Sequence, residues 1–66
     1  MKVTYFQDTD TLFIALRSDA PVATHEFNEN VYVDLDAEGK VVAFTIEHAS
    51  VLSDQPLFSY ETVKAQ

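Results

Sequence analysis

Residues 31–47, VYVDLDAEGKVVAFTIE, carry the clearest strand pattern in the chain. Apolar and polar residues alternate on both sides of the segment 36–39, and a period of two is typical of β-strands. Gly39, the only glycine of the chain, stands where a type I turn followed by a bulge requires a positive φ. The stretch therefore predicts a β-hairpin. The residues on its inward face are Val31, Val33, Leu35, Val42, Phe44 and Ile46.

Residues 2–17 predict a second hairpin by the same alternation. Val3 and Tyr5 share one face of the first strand, and the run 11–16 follows with a period of two. Its inward residues are Leu12, Ile14 and Leu16, whereas Phe13 points to the opposite face. The Asp-Thr-Asp link at 8–10 suits a tight turn, since Asp side chains bond nearby backbone N–H groups.

The remaining segments carry weaker signals. Residues 22–27 predict a more polar strand at an edge of the sheet, and the turn residues 28–30 follow it. At 48–53 the period changes, which indicates one short helix with Val51 and Leu52 tucked under the sheet. We therefore expect a mainly β, small α+β fold: an antiparallel meander of four to five strands, built from two hairpins and this helix.

The domain is expected to cover residues 1–53, with residues 54–66 as a C-terminal tail. Phe58, Tyr60 and Thr62 alternate as a strand would, but Leu57, Tyr60, Glu61 and Lys64 fit helical spacing, so the conformation of the tail stays open. The packing partner of the tail is undecided as well: the tail packs either on the sheet or on a partner subunit.

Composition excludes several classes of protein. The chain has 66 residues and a formal net charge of −7, which disfavours nucleic acid and anionic membrane surfaces as partners. It has no cysteine, so disulfides, thiolate metal sites and cysteine nucleophiles are ruled out. No apolar run reaches the length of a membrane span, and the amino terminus does not have the pattern of a signal peptide. We expect a cytoplasmic protein.

The polar residues give no catalytic signature. Asp34-x-Asp36-x-Glu38-Gly39 resembles the start of a calcium loop, but its twelfth position is Thr45 instead of the bidentate Glu. We interpret it as a solvated turn. Asp8 and Asp10 are interpreted as turn formers, and Ser50 and Ser53 as helix-capping residues. The expectation is a protein that is not an enzyme and uses no cofactor.

His25 and His48 are the only imidazoles. Each has a neighbouring glutamate, but adjacent strand residues point to opposite faces, so each pair supplies at most one inward ligand. Zinc and iron sites generally need three or four protein ligands. No metal site is therefore predicted, and metal binding by the two histidines with carboxylates is kept as an alternative.

Aromatic residues indicate where a partner could bind. If the hairpin residues named above fill one face, Phe13 and Tyr32 project from the other, and exposed apolar patches often mark interfaces. Phe58 and Tyr60 in the tail are the other interface candidates. A chain this short has a thin stability margin, and a second copy of itself is the commonest partner. We expect a homodimer.

Two stretches resemble the DUF2283 family of small prokaryotic proteins of unknown function. The first is Lys2-Val3-x-Tyr5 with Asp10-x-Leu12-Phe13-Ile14-x-Leu16. The second is Val31-x-Val33-Asp34-x-Asp36-x-x-Gly39-Lys40-Val41-Val42, which runs to Ile46 and then to Ala49-Ser50. The resemblance implies a small β-rich fold with a short helix and brings no catalytic or ligand residues. Phe6, Ala43, Glu47 and His48 depart from the family's usual residues.

The function expected from these observations is a non-enzymatic, self-associating interaction module. An acidic, antitoxin-like regulator that binds a basic protein partner is the alternative, since some relatives look like the acidic half of two-gene pairs and the net charge of −7 favours encounter with a cationic protein. The metal-binding protein is the second alternative.

Overall fold

The computed structural model describes residues 1–53 and 58–65 and contains one five-stranded antiparallel sheet. The elements are β1 (Lys2–Phe6), β2 (Thr11–Ala15), β3 (Ala23–Asn28), β4 (Val31–Leu35), β5 (Val41–Glu47) and α1 (Ala49–Leu52). The predicted class, a mainly β fold of antiparallel strands with one short helix, is confirmed, whereas the strand order is not that of a simple meander. Residues 58–65 are neither helix nor strand. The rest of the predicted tail, 54–57 and 66, lies outside the described residues.

The strand order is β1-β2-β5-β4-β3. The chain forms the β1–β2 hairpin, crosses to the far edge of the sheet, and returns through β3 and β4 to place β5 in the centre. The crossing segment 16–22 is held by backbone bonds from Leu16 to Val42 and from Val22 to Leu35. Because β3 lies at the outer edge, its predicted edge position is confirmed.

The turns at 28–30 and 36–39 lie where the sequence predicts them, and side-chain hydrogen bonds hold both. Gly39 has a φ of 81°. Oδ1 of Asp36 accepts hydrogen bonds from the backbone N–H groups of Glu38 and Lys40, at 2.9 Å each. Oδ1 of Asn28 likewise accepts bonds from the N–H groups of the turn to β4, which closes a further hairpin between β3 and β4.

The helix does not cover the sheet. We expected Val51 and Leu52 to pack under it, but Val51 is 80% exposed and Leu52 is 53% exposed. That prediction was wrong because α1 has only four residues, which is one turn and too short to reach across the strands. Among the described residues, no helix is long and apolar enough to cross a membrane.

The core is correspondingly small. Val42 and Ala43, neighbours in the central strand, are the buried hydrophobic residues of the described part. The molecule measures 38 × 33 × 19 Å, and its radius of gyration is 13.3 Å. A compact chain of this length has a radius of gyration of about 11 Å. In the part of the chain that the structure describes, the fold is thus one open layer, without a second layer on either face.

Candidate interaction surface

One face of the sheet is apolar from strand to strand. The register aligns Val3, Ile14, Phe44, Val33 and His25 in a single row across the sheet. Since alternate residues of a strand share a face, the neighbouring positions complete the same surface. We call it the apolar face; its members are Val3, Tyr5, Leu12, Ile14, Leu16, Val31, Val33, Leu35, Val42, Phe44 and Ile46, with His25 at its β3 margin.

The apolar face is open to solvent. Apart from Val42, its members are half-buried or exposed, and Tyr5 and Leu16 are among the exposed large hydrophobic residues. The chain has an accessible surface of 5450 Å², whereas a compact monomer of its mass has about 4,200 Å². The open sheet and the exposed segment 58–65 both contribute to this difference.

A groove adjoins the apolar face beside β1. It is lined by Met1, Val3, Phe58 and Tyr60, so the C-terminal segment approaches the sheet at this edge. Phe58 is 56% exposed and Tyr60 is 73% exposed. These two interface candidates therefore line an open groove next to the apolar face, with much of each ring in contact with solvent.

Phe13 and Tyr32 lie on the opposite face, as the sequence predicts. They flank Thr45 of the central strand, and Glu26 stands beside Tyr32 on β3. We call this surface the polar face; its members are Lys2, Thr4, Phe6, Thr11, Phe13, Ala15, Thr24, Glu26, Tyr32, Asp34, Ala43, Thr45 and Glu47. The structure thus divides the four interface candidates between two surfaces.

Acidic side chains dominate the charge of the polar face. The carboxylate of Glu47 raises the pKa of Tyr32 above its ordinary value, and partial desolvation and Glu26 act in the same direction. Thr24 donates a hydrogen bond of 2.8 Å to Asp34 on the same face. The polar face therefore combines aromatic rings with negative potential.

A hydrogen-bond network joins the first turn to α1. Oδ1 of Asp10 accepts bonds from the Tyr5 hydroxyl at 2.5 Å and from the Ser50 N–H at 3.1 Å, and Oδ2 accepts one from the Ser50 hydroxyl at 2.7 Å. The backbone oxygen of Asp10 also accepts a bond from the N–H of Ala49. The hydrogen bond from Tyr5 lowers the pKa of Asp10 most, followed by that from the Ser50 hydroxyl.

Sequence reasoning missed this network. It assigned Asp10 to a turn and Ser50 to a cap, and it gave no reason to connect them. The available signal was that both residues belong to the stretches that resemble the DUF2283 family. Asp10 has a φ of 55°, a conformation that Asp tolerates better than most residues, and it directs the carboxylate toward α1.

The two histidines have separate surroundings. His25 pairs with Val33 on the outer strand. His48 follows β5 with a φ of 57°, and its Nδ1 lies 2.9 Å from Oδ1 of Asn30. Within residues 1–53 and 58–65, no three His, Cys, Asp or Glu side chains are placed to hold a metal ion.

In the acidic turn at 36–39, both carboxylate oxygens of Asp36 accept hydrogen bonds from groups of the same chain. Oδ2 of Asp36 accepts a hydrogen bond of 2.5 Å from Nη2 of Arg17, while its other oxygen accepts the turn N–H groups. The Arg17 guanidinium is the largest cause that lowers the pKa of Asp36 below its usual value. Asp36, in the β4–β5 turn, therefore forms a hydrogen-bonded ion pair with Arg17, which lies in the segment that connects β2 with β3.

The sequence model of the family described as "Protein of unknown function (DUF2283)" matches residues 2–50. The chain belongs to this family. The matched region contains all five strands and the first residues of α1, so the DUF2283 region is the sheet together with the Asp10–Ser50 link. No curated protein and no solved structure gave a match.

Proposed function

We propose that this chain is a non-catalytic interaction module that associates with a second copy of itself through the apolar face. The observation that carries the proposal is an apolar surface that extends over β1, β2, β5 and β4, with His25 at its β3 margin, and that no second layer covers among residues 1–53 and 58–65. In β-sandwiches such a surface is covered by the corresponding face of another sheet, about 10 Å away.

The exposed area is compatible with a dimer. The chain exposes about 1,200 Å² more than a compact monomer of its mass, and the open sheet shares this excess with the segment 58–65. A standard protein–protein interface buries about 800 Å² on each partner. Domains of this size often require disulfides, a metal or oligomerisation for stability, and the absence of cysteine removes the first. A second copy supplies the missing half of the core.

The charges are arranged to permit this contact. The carboxylates that belong to strands are those of Glu26, Asp34 and Glu47, and all three lie on the polar face. Two copies, each with a net charge of −7, can therefore bring their apolar faces together while these carboxylates remain in water, where they are screened.

The polar groups best suited to catalysis are engaged in structural bonds. The Ser50 hydroxyl donates to a carboxylate, and the His48 ring contacts the Asn30 amide. A nucleophilic serine instead requires a base that accepts its proton and an orienting group behind that base. This arrangement supports a structural role for Ser50 and His48.

Sedimentation velocity of the full chain across micromolar concentrations tests the proposal, with two neighbouring residues of β4 as a matched pair. We expect the unaltered chain to be dimeric and Val33→Lys to be monomeric, because it places a charge within the apolar face. Tyr32→Lys changes a residue on the polar face and should leave the dimer intact.

A monomeric unaltered chain would overturn the proposal, and so would a dimer that Tyr32→Lys disrupts and Val33→Lys does not. Far-UV circular dichroism establishes that each variant is folded. If Val33→Lys does not fold, Val33→Thr keeps the side-chain shape and should still weaken the dimer measurably.

A second candidate function is the binding of a basic protein through the polar face. The specific observation in its favour is the negative potential around Tyr32, whose pKa is raised mainly by Glu47. Cationic side chains bind to aromatic faces and to carboxylates. Titration with an oligo-arginine peptide tests it: Glu47→Gln should weaken binding more than Glu61→Gln, which removes the same charge from the C-terminal segment.

A further inference from the structure

We propose that the polar face holds an arginine side chain of a partner protein between the rings of Phe13 and Tyr32, with the carboxylate of Glu47 as its counter-ion. We call this position the arginine site. The inference rests on the second candidate function and deepens it, because it names the side chain that is recognised and the residues that recognise it. The site lies on the face opposite to the one that a dimer covers, so both contacts can form together.

The register places the two rings on either side of the central strand. Phe13 on β2 and Tyr32 on β4 both pair with Thr45 on β5, so the three residues form one row on the polar face. Neighbouring strands are about 4.8 Å apart, which separates the backbones beneath the two rings by roughly 10 Å. A planar group in van der Waals contact with a ring on each side needs about 7 Å. Because side chains stand nearly perpendicular to a sheet and Thr45 is short, the row has the spacing for one planar group between the rings.

Short side chains lead to this position along β5. Ala43 precedes Thr45 on the polar face and pairs with Ala15 of β2, while Glu47 follows Thr45 on the same face. Successive residues of one face are about 7 Å apart along a strand. An extended arginine can therefore lay its methylene groups over Ala43 while its guanidinium lies between the rings and faces Glu47. Long cationic side chains commonly cover apolar surface with their stems in this way.

The carboxylate of Glu47 forms no ion pair with a lysine or arginine in the part of the chain that the structure describes. The ion pairs there are those of Arg17 and Lys40 with other carboxylates. Glu47 is nevertheless half-buried, and its charge is the largest cause that raises the pKa of Tyr32. A partly desolvated carboxylate is costly without a partner. A cation supplied by another protein offsets that cost.

The other charges of the polar face favour the same class of ligand. Glu26 stands beside Tyr32 in the same row, and Asp34 lies on β4, whereas Lys2 at the β1 margin is the cation among the members of this face. The face therefore attracts a cation and repels an anion. Arginine fits better than lysine, because the guanidinium is planar, stacks on aromatic rings and donates two parallel hydrogen bonds to a carboxylate.

Two peptides of equal charge, hexa-arginine and hexa-lysine, test the arginine site. Fluorescence anisotropy of the labelled peptides, titrated with the full chain, gives both dissociation constants under the same salt conditions. We expect hexa-arginine to bind at least threefold more tightly than hexa-lysine. Phe13→Leu and Tyr32→Leu should each weaken hexa-arginine at least threefold and hexa-lysine by less than twofold, since leucine keeps apolar bulk but offers no ring for stacking.

Two control variants separate the ring from other effects. Tyr32→Phe retains the ring and should bind hexa-arginine as tightly as the unaltered chain. Phe58→Leu removes a ring that is 56% exposed in the groove beside the apolar face, and it should change binding by less than twofold. Far-UV circular dichroism establishes that each variant is folded. If a leucine variant of the site does not fold, Thr45→Leu fills the space between the rings and should weaken hexa-arginine at least threefold.

The outcomes distinguish this inference from the functions on which it builds. Equal affinity for the two peptides, or ring variants that bind hexa-arginine as tightly as the unaltered chain, would overturn the arginine site. If Glu47→Gln still weakened binding in that case, the second candidate function would stand. A chain that binds neither peptide at low salt would overturn both. The dimer is tested separately by the sedimentation of Val33→Lys.

Discussion

The hydroxyl of Ser50 donates a hydrogen bond of 2.7 Å to a carboxylate oxygen of Asp10, forty residues earlier in the chain. This bond joins the β1–β2 turn to the first turn of α1, so it connects the first turn of the region that matches the DUF2283 family to the last residue of that region. In an open sheet with few buried residues, such a link restrains the place where the chain leaves β5. The family region therefore ends at a hydrogen-bonded closure.

Asp10→Ala should lower the melting temperature of the protein more than Ser50→Ala. Asp10 accepts bonds from the Tyr5 hydroxyl and from both the N–H and the hydroxyl of Ser50, whereas Ser50→Ala removes only the hydroxyl bond. Thermal melting followed by circular dichroism measures both. Asp8→Ala, in the same turn, is the control; a loss as large as that of Asp10→Ala would contradict the importance of the network.

The Arg17–Asp36 pair predicts a pH dependence. Because Arg17 lowers the pKa of Asp36 in the folded chain, the carboxylate stabilises the fold above its unfolded pKa of about 3.9. That contribution is lost as the pH falls through the lower folded pKa. The stability advantage of the unaltered chain over Asp36→Asn should therefore be complete at pH 6 and disappear in strong acid.

Urea unfolding at a series of pH values measures this advantage, under conditions where the oligomeric state is the same at each pH. Arg17→Gln should show the same loss at pH 6, since it removes the other partner of the pair. An advantage over Asp36→Asn that grows toward low pH would have the opposite sign and would contradict the assignment.

Val42→Ala should destabilise the protein by about 2 kcal/mol, because it removes two methyl groups from a packed site and leaves a cavity. Val42 is only 3% exposed, whereas Val51 in α1 is 80% exposed. Val51→Ala makes the same chemical change at a solvated site and should alter the free energy of unfolding by less than about 0.5 kcal/mol. Equal effects would contradict the placement of the core in β5.

Sodium chloride should strengthen the dimer. Each copy carries a net charge of −7, so long-range repulsion opposes association, and salt screens it. The contact itself is apolar and has little attraction that salt can weaken. We expect the dissociation constant measured by sedimentation to be lower at about 0.5 M sodium chloride than at low salt. Over this range the Debye length shrinks below about 10 Å, so the repulsion between the two copies is largely screened. A rise would indicate an interface dominated by ion pairs.

The sequence predicted the local structure well because its signals are local. Alternation placed Phe13 opposite Ile14, and Gly39 marked a turn that requires a positive φ; both are confirmed. The position of β5 between β2 and β4 was beyond prediction, since strands with the same alternation are equally able to pair. The contact of Asp10 with Ser50 depends on that order, so it too required the structure.

His25→Lys should weaken the dimer at least tenfold. His25 ends the row that runs through Val33, Phe44 and Ile14 to Val3, so a second copy on the apolar face covers it. The ammonium group then loses water without gaining a partner on this face. The substitution also makes the net charge less negative, which reduces long-range repulsion, so any weakening must come from the local contact.

Thr24→Lys changes the adjacent residue, which lies on the polar face, and is the control. This variant should bind a second copy as tightly as the unaltered chain. Sedimentation velocity at neutral pH measures all three proteins; equal dissociation constants for the two lysine variants would place the β3 margin outside the interface.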